Sequence, residues 1–302
     1  MKKAIKVSTS LLSVATSVAL FSCSKEKEAL TNQEESAIVE QPTGGEHECS
    51  YVDSSWPASA ILSTTLSASA GTSADATFMT NQNTAIKTFW RGTSVAAPVF
   101  RFVKNGTDWN STYNAVSYSN GKIYYGEGIF RDAKSKDASN LINVMILAHE
   151  YGHQLQYAFR LPSKKESTAR AGELQADGMA GYYLRKGYGK STYSEIATAY
   201  EFASSIGDRE TKSPDHHGTP EQRRSAVRLG FLLADPTNAK LTATQFDSNF
   251  FRYYDGVLAG THRLAKPEGM SDEGHQLIMS KMEELRKIQS GKMSDKEYFN
   301  LY

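Results

Sequence analysis

The segment of the sequence best suited to chemistry is HEYGH, at residues 149–153. In a helix of about 3.6 residues per turn, His149 and His153 lie on the same face, so both imidazoles can bind one zinc ion. Glu150 lies about 100° around the helix from His149, where its carboxylate can reach a water molecule on the metal. The segment therefore predicts a hydrolytic zinc site with Glu150 as the general base.

A hydrolytic zinc site needs a third protein ligand and an open position, and ELQAD at residues 173–177 offers that ligand. Glu173 is the predicted ligand, and Asp177, one helical turn further, is predicted to accept the Nδ1–H of a ligand histidine. The alternative is a solvent-facing acidic helix start, which the helix dipole favours. Because that alternative does not explain the nearby HEYGH segment, we expect His149, His153 and Glu173 to bind one Zn²⁺.

Two neighbouring helices must position these side chains. Apolar residues recur at helical spacing over residues 141–157, which include HEYGH, and over residues 173–185, which begin with ELQAD. Further helices are predicted over residues 74–90, 193–206, 221–234, 246–258 and 271–288.

Strands are predicted only before these two helices. One covers residues 99–103, and a hairpin covers residues 115–118 and 122–130, with a type I′ turn at Asn120-Gly121. A small β-sheet with a hairpin, followed by a mainly helical half that carries the HExxH helix, predicts an α+β fold.

Over residues 138–230, about a third of the chain, the sequence resembles a known family. HEYGH followed by ELQAD resembles the HExxH plus ExxxD arrangement of gluzincins. Gln156 and the segment HGTPEQR, residues 217–223, extend the similarity to the bacterial neutral zinc metallopeptidase family. The resemblance implies a zincin-like fold, with the two motif histidines and Glu173 as zinc ligands and Glu150 as the catalyst. It implies little about the chain before this region, and the leader described below departs from the family.

Hydrolysis of peptide bonds is the predicted reaction. Zinc lowers the pKa of bound water towards about 7, and Glu150 takes its proton as the water attacks an amide carbonyl, then delivers it to the leaving amine. His217 is the candidate for a second electrophile that stabilises the oxyanion, because Gly218 would let it approach the site. Alternatively, His217 or Thr219 caps the helix that follows, and both interpretations stay open here.

A peptide or protein substrate is expected to pair with the strand at residues 122–130, because zincins bind an extended substrate along an edge strand. Gly126 and Gly128 would let a peptide backbone come close, although a bulge or bend in this strand is the slightly favoured alternative. A second function hypothesis is a non-catalytic zincin-like lipoprotein that binds peptides or surface partners.

Residues 1–22 have the features of a bacterial lipoprotein signal peptide. Three lysines precede an uncharged stretch that is too short, and too rich in Ser and Thr, to span a membrane. LFSC at residues 20–23 resembles a lipobox, which predicts lipidation of Cys23 and anchoring to a membrane. A plain secretory leader, with Cys23 lost or free, is the alternative.

The leader predicts an exported outer-membrane lipoprotein that faces the periplasm or the cell surface. Residues 23–53 are polar and Glu-rich, which predicts a flexible tether, and the zincin-like domain is expected over residues 54–302.

Charge and cysteine content exclude two classes of protein. The leader removes three of the 34 basic residues and no acidic residue, so 31 bases face 33 acids in the mature chain. This balance gives no support to a protein that binds nucleic acid through a basic patch. The only cysteines are Cys23 and Cys49. A structural zinc site built on three or four cysteines is therefore excluded.

Overall fold

A computed structural model describes residues 48–51, 66–67, 72–104, 108–205, 207, 209, 211–261 and 263–301 of the chain. All of them belong to one unit, which spans Gln41–Tyr302. The predicted signal peptide, Cys23 and most of the predicted tether lie outside the described residues. No helix in the described part of the chain combines the length and the apolar character that crossing a membrane requires.

The β-structure is one sheet of five short strands. The strands are β1 Glu48–Ser50, β2 Leu66–Ser67, β3 Val99–Val103, β4 Ala115–Tyr118 and β5 Lys122–Gly126. Their order in the sheet is β1-β4-β5-β3-β2. Only β3 and β5 pair in parallel, and the other neighbours are antiparallel. Residues 48–50, assigned to the tether from the sequence, thus form a strand at the edge of the sheet.

The β4–β5 hairpin is confirmed, but the predicted type I′ turn is wrong. The strands are joined by residues 119–121, of which only Gly121 has a positive φ, at 80°. The Gly121 N–H donates to the carbonyl of Tyr118 at 3.1 Å. This is a three-residue loop with glycine in the left-handed region, which needs no positive φ at Asn120.

Strand β5 is shorter than predicted, because the chain turns into helix α2 at Glu127. Ile129 and Phe130 are fully buried by this helix, and a short apolar run of this kind does not separate helix from strand in a sequence. Strand β5 also lies between β4 and β3, so it is not an edge strand. Substrate pairing along this strand, the less favoured of the two interpretations, is therefore excluded, whereas the bend, the slightly favoured one, is observed at Glu127.

The rest of the described chain is mainly helical. The helices are α1 Ser73–Arg91, α2 Glu127–Lys136, α3 Leu141–Phe159, α4 Arg170–Lys186, α5 Ala197–Ser205, α6 Pro220–Leu233, α7 Ala243–Ala259, α8 Asp272–Ser280, α9 Met282–Gln289 and α10 Asp295–Phe299. The helix predicted over residues 271–288 is divided at Lys281 into α8 and α9. A small sheet followed by a helical half confirms the α+β class.

Helix α3 forms the centre of the core, and glycines let its neighbours approach closely. Every residue of α3 from Leu141 to Gln156 is buried. A Cβ added at Gly152 would lie 3.0 Å from the Cα of Ala176 in α4. Similarly, a Cβ added at Gly230 in α6 would lie 1.9 Å from the carbonyl oxygen of Gly178. Helices α3, α4 and α6 thus meet backbone to backbone, which brings their polar side chains together.

Candidate metal centre

The two motif histidines converge inside the core. His149 and His153 lie one turn apart on α3, and both side chains are fully buried. Their Nε2 atoms are 3.1 Å apart, and the rings meet edge to face. The helical spacing predicted from the sequence thus brings the two Nε2 atoms close enough to bind the same ion.

Glu173 completes the group from α4. Its Oε2 atom lies 3.3 Å from Nε2 of His149, and its Oε1 atom lies 3.4 Å from Nε2 of His153. The side chain is 2% exposed. Within the described residues, this trio of side chains forms a group whose ligand atoms could hold one metal ion.

The distances between these atoms fit a small tetrahedral ion. Zinc–ligand bonds of about 2.0–2.1 Å imply that neighbouring ligand atoms of a tetrahedron are about 3.3 Å apart. The two Nε2 atoms are 3.1 Å apart, Oε2 of Glu173 lies 3.3 Å from that of His149, and Oε1 of Glu173 lies 3.4 Å from that of His153. Each histidine ring donates a hydrogen bond through its Nδ1 atom, as described in the next two paragraphs, so each Nε2 atom carries a lone pair. Two imidazole nitrogens and one carboxylate, all of them acceptors, therefore face one another. Because these groups can only accept at the point where they meet, a bound cation would stabilise their arrangement.

His149 is held by a buried carboxylate, and that carboxylate is held by a buried arginine. The Nδ1 atom of His149 lies 2.9 Å from Oδ1 of Asp177, the contact expected from the sequence. Arg223 on α6 donates to both carboxylate oxygens of Asp177, at 2.7 and 2.9 Å. All three side chains are fully buried. Because a carboxylate only accepts, the proton of His149 lies on Nδ1.

His153 is held by a chain of amides. Its Nδ1 atom lies 2.8 Å from Oε1 of Gln156. The Nε2 of Gln156 donates to the carbonyl of Gly172 at 2.7 Å and to Oε1 of Gln175 at 2.9 Å. Gln175 in turn donates to Oδ1 of Asp247 on α7, at 2.5 Å. The amide oxygen of Gln156 therefore accepts from His153, which places the ring proton on Nδ1.

Sequence reasoning missed most of these supporting residues. Arg223, Gln156 and Gln175 all lie in the segments that carry the family resemblance, so their positions were visible although their roles were not. No sequence signal pointed to Asp247, which lies 72 residues beyond Gln175.

The charges at the site act strongly on one another. Burial raises the pKa of Glu173, but the neighbouring imidazoles of His153, His217 and His149 outweigh it and hold the pKa well below its ordinary range. Burial also raises the pKa of Asp177, and the charge of Arg223 is the largest influence that lowers it below its ordinary value. Both carboxylates are therefore ionised at neutral pH, as metal binding and histidine orientation require.

Glu150 is fully buried beside the ligand group but is not a member of it. Its backbone carbonyl accepts a hydrogen bond from Oγ of Ser117 on β4 at 2.9 Å. Its carboxylate lies close enough to Tyr51 and Tyr125 to raise the pKa of both hydroxyls further, beyond the larger effect of burial. Glu150 thus faces the interior of the site and not solvent.

The helix cap before α6 is Thr219 and not His217. The Thr219 hydroxyl accepts from the N–H of Gln222 at 3.3 Å, and its own N–H donates to Oε1 of Gln222 at 3.0 Å. Gly218 has a φ of 97°, and a Cβ there would lie 2.9 Å from Leu174. His217 is 7% exposed, and its imidazole helps to lower the pKa of Glu173, after the larger effects of burial and His153. The loop thus brings His217 near the metal ligands.

Tyr51 is part of the site, although the sequence placed it in the tether. Its ring lies 4.8 Å from the ring of His149, edge to face, and the guanidinium of Arg223 lies 5.1 Å from its centre. The side chain is 1% exposed. Its position depends on the pairing of β1 with β4, which no local pattern in the polar segment indicated.

No protein-family model, curated protein or solved structure matches this chain. The residues of the metal centre and their distances are therefore the observations on which its function can be argued.

Proposed function

We propose that this protein is a zinc-dependent peptidase of the zincin type, and most simply an endopeptidase. The observation that carries the proposal is the convergence of His149, His153 and Glu173 beside the buried Glu150. The Nε2 atoms of the two histidines are 3.1 Å apart, and each lies 3.3 or 3.4 Å from one of the two carboxylate oxygens of Glu173. Two histidines and one glutamate are a known ligand set of catalytic zinc, and three protein ligands leave one position for water or substrate.

The donor set favours zinc over the common hard cations. Calcium and magnesium prefer oxygen ligands, and magnesium keeps several of its waters. Two imidazole nitrogens and one carboxylate instead suit zinc or a similar transition metal. The buried partners Asp177 and Gln156, each hydrogen-bonded to a ligand histidine, are the outer support that such sites use.

Zinc at this site would make water a nucleophile near neutral pH and polarise the substrate carbonyl. Glu150 accepts the proton of the attacking water on its carboxylate and passes it to the leaving amine. His217 donates a hydrogen bond to the substrate oxygen as negative charge develops there. Its burial and its electrostatic effect on Glu173 support this role.

The alternative is a non-catalytic protein in which the metal supports a peptide-binding or surface-interaction fold. The observation that favours it is burial, because the side chains of the three ligands and of Glu150 are at most 2% exposed. Structural zinc sites are closed in this way, whereas catalytic sites keep an open position.

The substitution Glu150→Gln separates these two functions. For a peptidase, the variant should retain about one zinc per chain while hydrolysis of a casein-type substrate falls by at least about 10²-fold, the lower range of general acid–base contributions. His149→Ala should lose the metal itself. Glu273→Gln, at an exposed position in α8, is the matched control and should change neither quantity. Equal inactivity of wild type and Glu150→Gln across a broad peptide library would favour the non-catalytic function.

We also propose that the protein acts outside the cytoplasm, held to a membrane by a lipid on Cys23. The support is the leader at residues 1–22 and the lipobox-like LFSC sequence. The expected partners are a peptide or protein substrate and the membrane.

A further inference from the structure

Strand β1 leads directly into the metal centre. It pairs antiparallel with the outer edge of β4, with Cys49 opposite Ser117. The next residue, Tyr51, continues the pairing by donating its N–H to the carbonyl of Ala115 at 2.9 Å. In the described part of the chain, the segment consists of three strand residues and Tyr51, so its backbone pairing there is short.

Strand β4, in turn, is fixed to the helix that carries the motif. The Ser117 hydroxyl donates to the backbone carbonyl of Glu150 at 2.9 Å. Gln154, on the same helix, donates to the Ser117 hydroxyl at 2.6 Å and to the carbonyl of Tyr118 at 2.9 Å. A peptide added to β4 would therefore lie along a strand that is locked to the helix of Glu150. Strand addition at a sheet edge is a common way to bind an extended peptide.

Tyr51 covers the ligands. Its ring packs edge to face on His149 at 4.8 Å. Burial, followed by the charges of Asp177, Glu150 and Glu173, raises its pKa far above the ordinary value, although Arg223 opposes this. Its buried hydroxyl has no hydrogen-bond partner in the described part of the chain. A buried hydroxyl without a hydrogen-bond partner is energetically unfavourable. The hydroxyl of Tyr51 therefore adds little to the stability of the position that the side chain occupies.

A polypeptide substrate must reach Glu150, yet the ligands and Glu150 are at most 2% exposed. Of the elements that cover them, helices α3, α4 and α6 are held together by backbone contacts through glycines. Among the described residues, the β1 segment contacts the edge of β4, and the ring of Tyr51 contacts His149 and Arg223.

We propose that β1 and Tyr51 form an autoinhibitory segment. The segment occupies the β4 edge at which an extended substrate peptide pairs, places Tyr51 over the metal ligands, and leaves when a substrate takes its place. The exchange of one strand for another keeps the hydrogen bonds of β4 satisfied. This inference rests on the proposed peptidase function and adds a latent state to it.

A reversible disulfide tests the proposal. In a chain with Cys23→Ser, Cys49 is the sole native cysteine, and Ser117→Cys adds a second cysteine at the position that pairs with it in the strand register. Cross-strand partners are about 4.5–5.5 Å apart at Cα, which suits a disulfide. The oxidised, zinc-loaded variant should hydrolyse peptides about tenfold more slowly than its reduced form, and a chelator should remove its zinc about tenfold more slowly, because opening is prevented. The same chain with Ser117 intact shows whether reductant itself has an effect.

A second pair of variants tests the effect of weakening the pairing of β1 with β4, whereas the disulfide fixes that pairing. Cys49→Pro, in the same background, weakens the pairing of β1 with β4 and should raise both the rate of zinc removal and the rate of hydrolysis. Leu66→Pro is its matched control, because β2 lies at the opposite edge of the sheet. It should leave both rates near those of the parent chain.

Equal rates for the oxidised and reduced forms, in both assays, would overturn the proposal, because β1 would then be a permanent wall of the site. If no form hydrolyses any peptide, the proposed peptidase function fails instead. The rates of zinc removal then decide the inference alone. Slower removal from the oxidised form supports a displaceable cover, and equal removal overturns it.

Discussion

At the scale of residues, the two ligand histidines are fixed by partners of different charge. His149 donates to the carboxylate of Asp177, whereas His153 donates to the neutral amide of Gln156. Burial lowers the pKa of His149, but its interactions with the carboxylates of Asp177 and Glu173 raise that pKa above its ordinary value. A carboxylate partner makes an imidazole a stronger metal ligand, so at the proposed zinc site the two histidines would contribute unequally to metal affinity.

The substitution Asp177→Asn tests this contact. It leaves the shape of the side chain but removes the charge that faces Arg223 and His149. We expect zinc affinity to fall about 10–100-fold, as for other losses of a carboxylate partner. The free energy of unfolding of the metal-free protein should fall by about 3–5 kcal/mol, because Arg223 becomes an unpaired buried charge. Zinc titration against a competing chelator and urea unfolding measure the two effects.

Arg223→Met provides the control for that prediction. In a chain that carries Arg223→Met, the further substitution Asp177→Asn leaves no buried cation without a counterion. Most of the loss of stability should then be absent, while the loss of zinc affinity remains. A stability loss that is equally large in both backgrounds would show that the ion pair is not its cause.

At the scale of elements, the site depends on how closely three helices approach. Glu173 and Asp177 lie on α4, their partners lie on α3 and α6, and glycines occupy the crossing points. A Cβ at Gly181 would lie 2.3 Å from the carbonyl oxygen of Val227, and one at Gly230 would lie 1.9 Å from that of Gly178. Both obstacles are backbone atoms, which cannot rotate away.

We therefore predict that Gly230→Ala separates α6 from α4 and weakens the metal centre. Overpacking of this kind costs about 1–3 kcal/mol of stability, and the shift should lower zinc affinity because Arg223 moves away from Asp177. Gly172→Ala on α4 is the matched control, because its Cβ would meet Gln156 at an ordinary 3.6 Å. Thermal unfolding and zinc titration of both variants measure the difference. Similar behaviour of the two variants would contradict the close-contact explanation.

At the scale of the whole molecule, ionisable groups are buried both at the metal centre and in the aromatic core. Glu173 and Asp177 have pKa values below their ordinary values of 4.5 and 3.8. Burial raises the pKa of Tyr182 and of Tyr183 from 10.0 to about 12. These opposite shifts set the two ends of the pH range in which the fold is stable.

The metal-free protein should lose stability at both ends of that range. A carboxyl with a depressed pKa stabilises the fold above its unfolded pKa, so this contribution declines as the pH falls below 4.5. A tyrosine with a raised pKa stabilises the fold below its unfolded value, so stability declines as the pH rises from 10.0 to about 12. Urea unfolding across this range measures both limbs. Tyr183→Phe should flatten the alkaline limb alone, and an unchanged slope would refute this assignment.

The sequence by itself determined the histidine pair, because the spacing within HEYGH is a local property of a helix. It also predicted Glu173 as the third member of the group, but the packing of α4 on α3 brings that residue to the pair. Residues one turn apart share a face whatever the rest of the chain does, so the convergence of His149 and His153 followed from periodicity. The bounds of most helices and the α+β class followed from the same periodicity and from turn residues.

Only the tertiary structure decided which distant residues complete the site. Helix α2 takes the last four residues of the strand predicted over residues 122–130. A short apolar run fits the helical and the strand period equally well, so the packing around it decides between them. Asp247 reaches the site through Gln175, and Tyr51 reaches it through the pairing of β1 with β4. Such contacts join residues far apart in the chain, and they arise from the packing of whole elements, which no local spacing encodes.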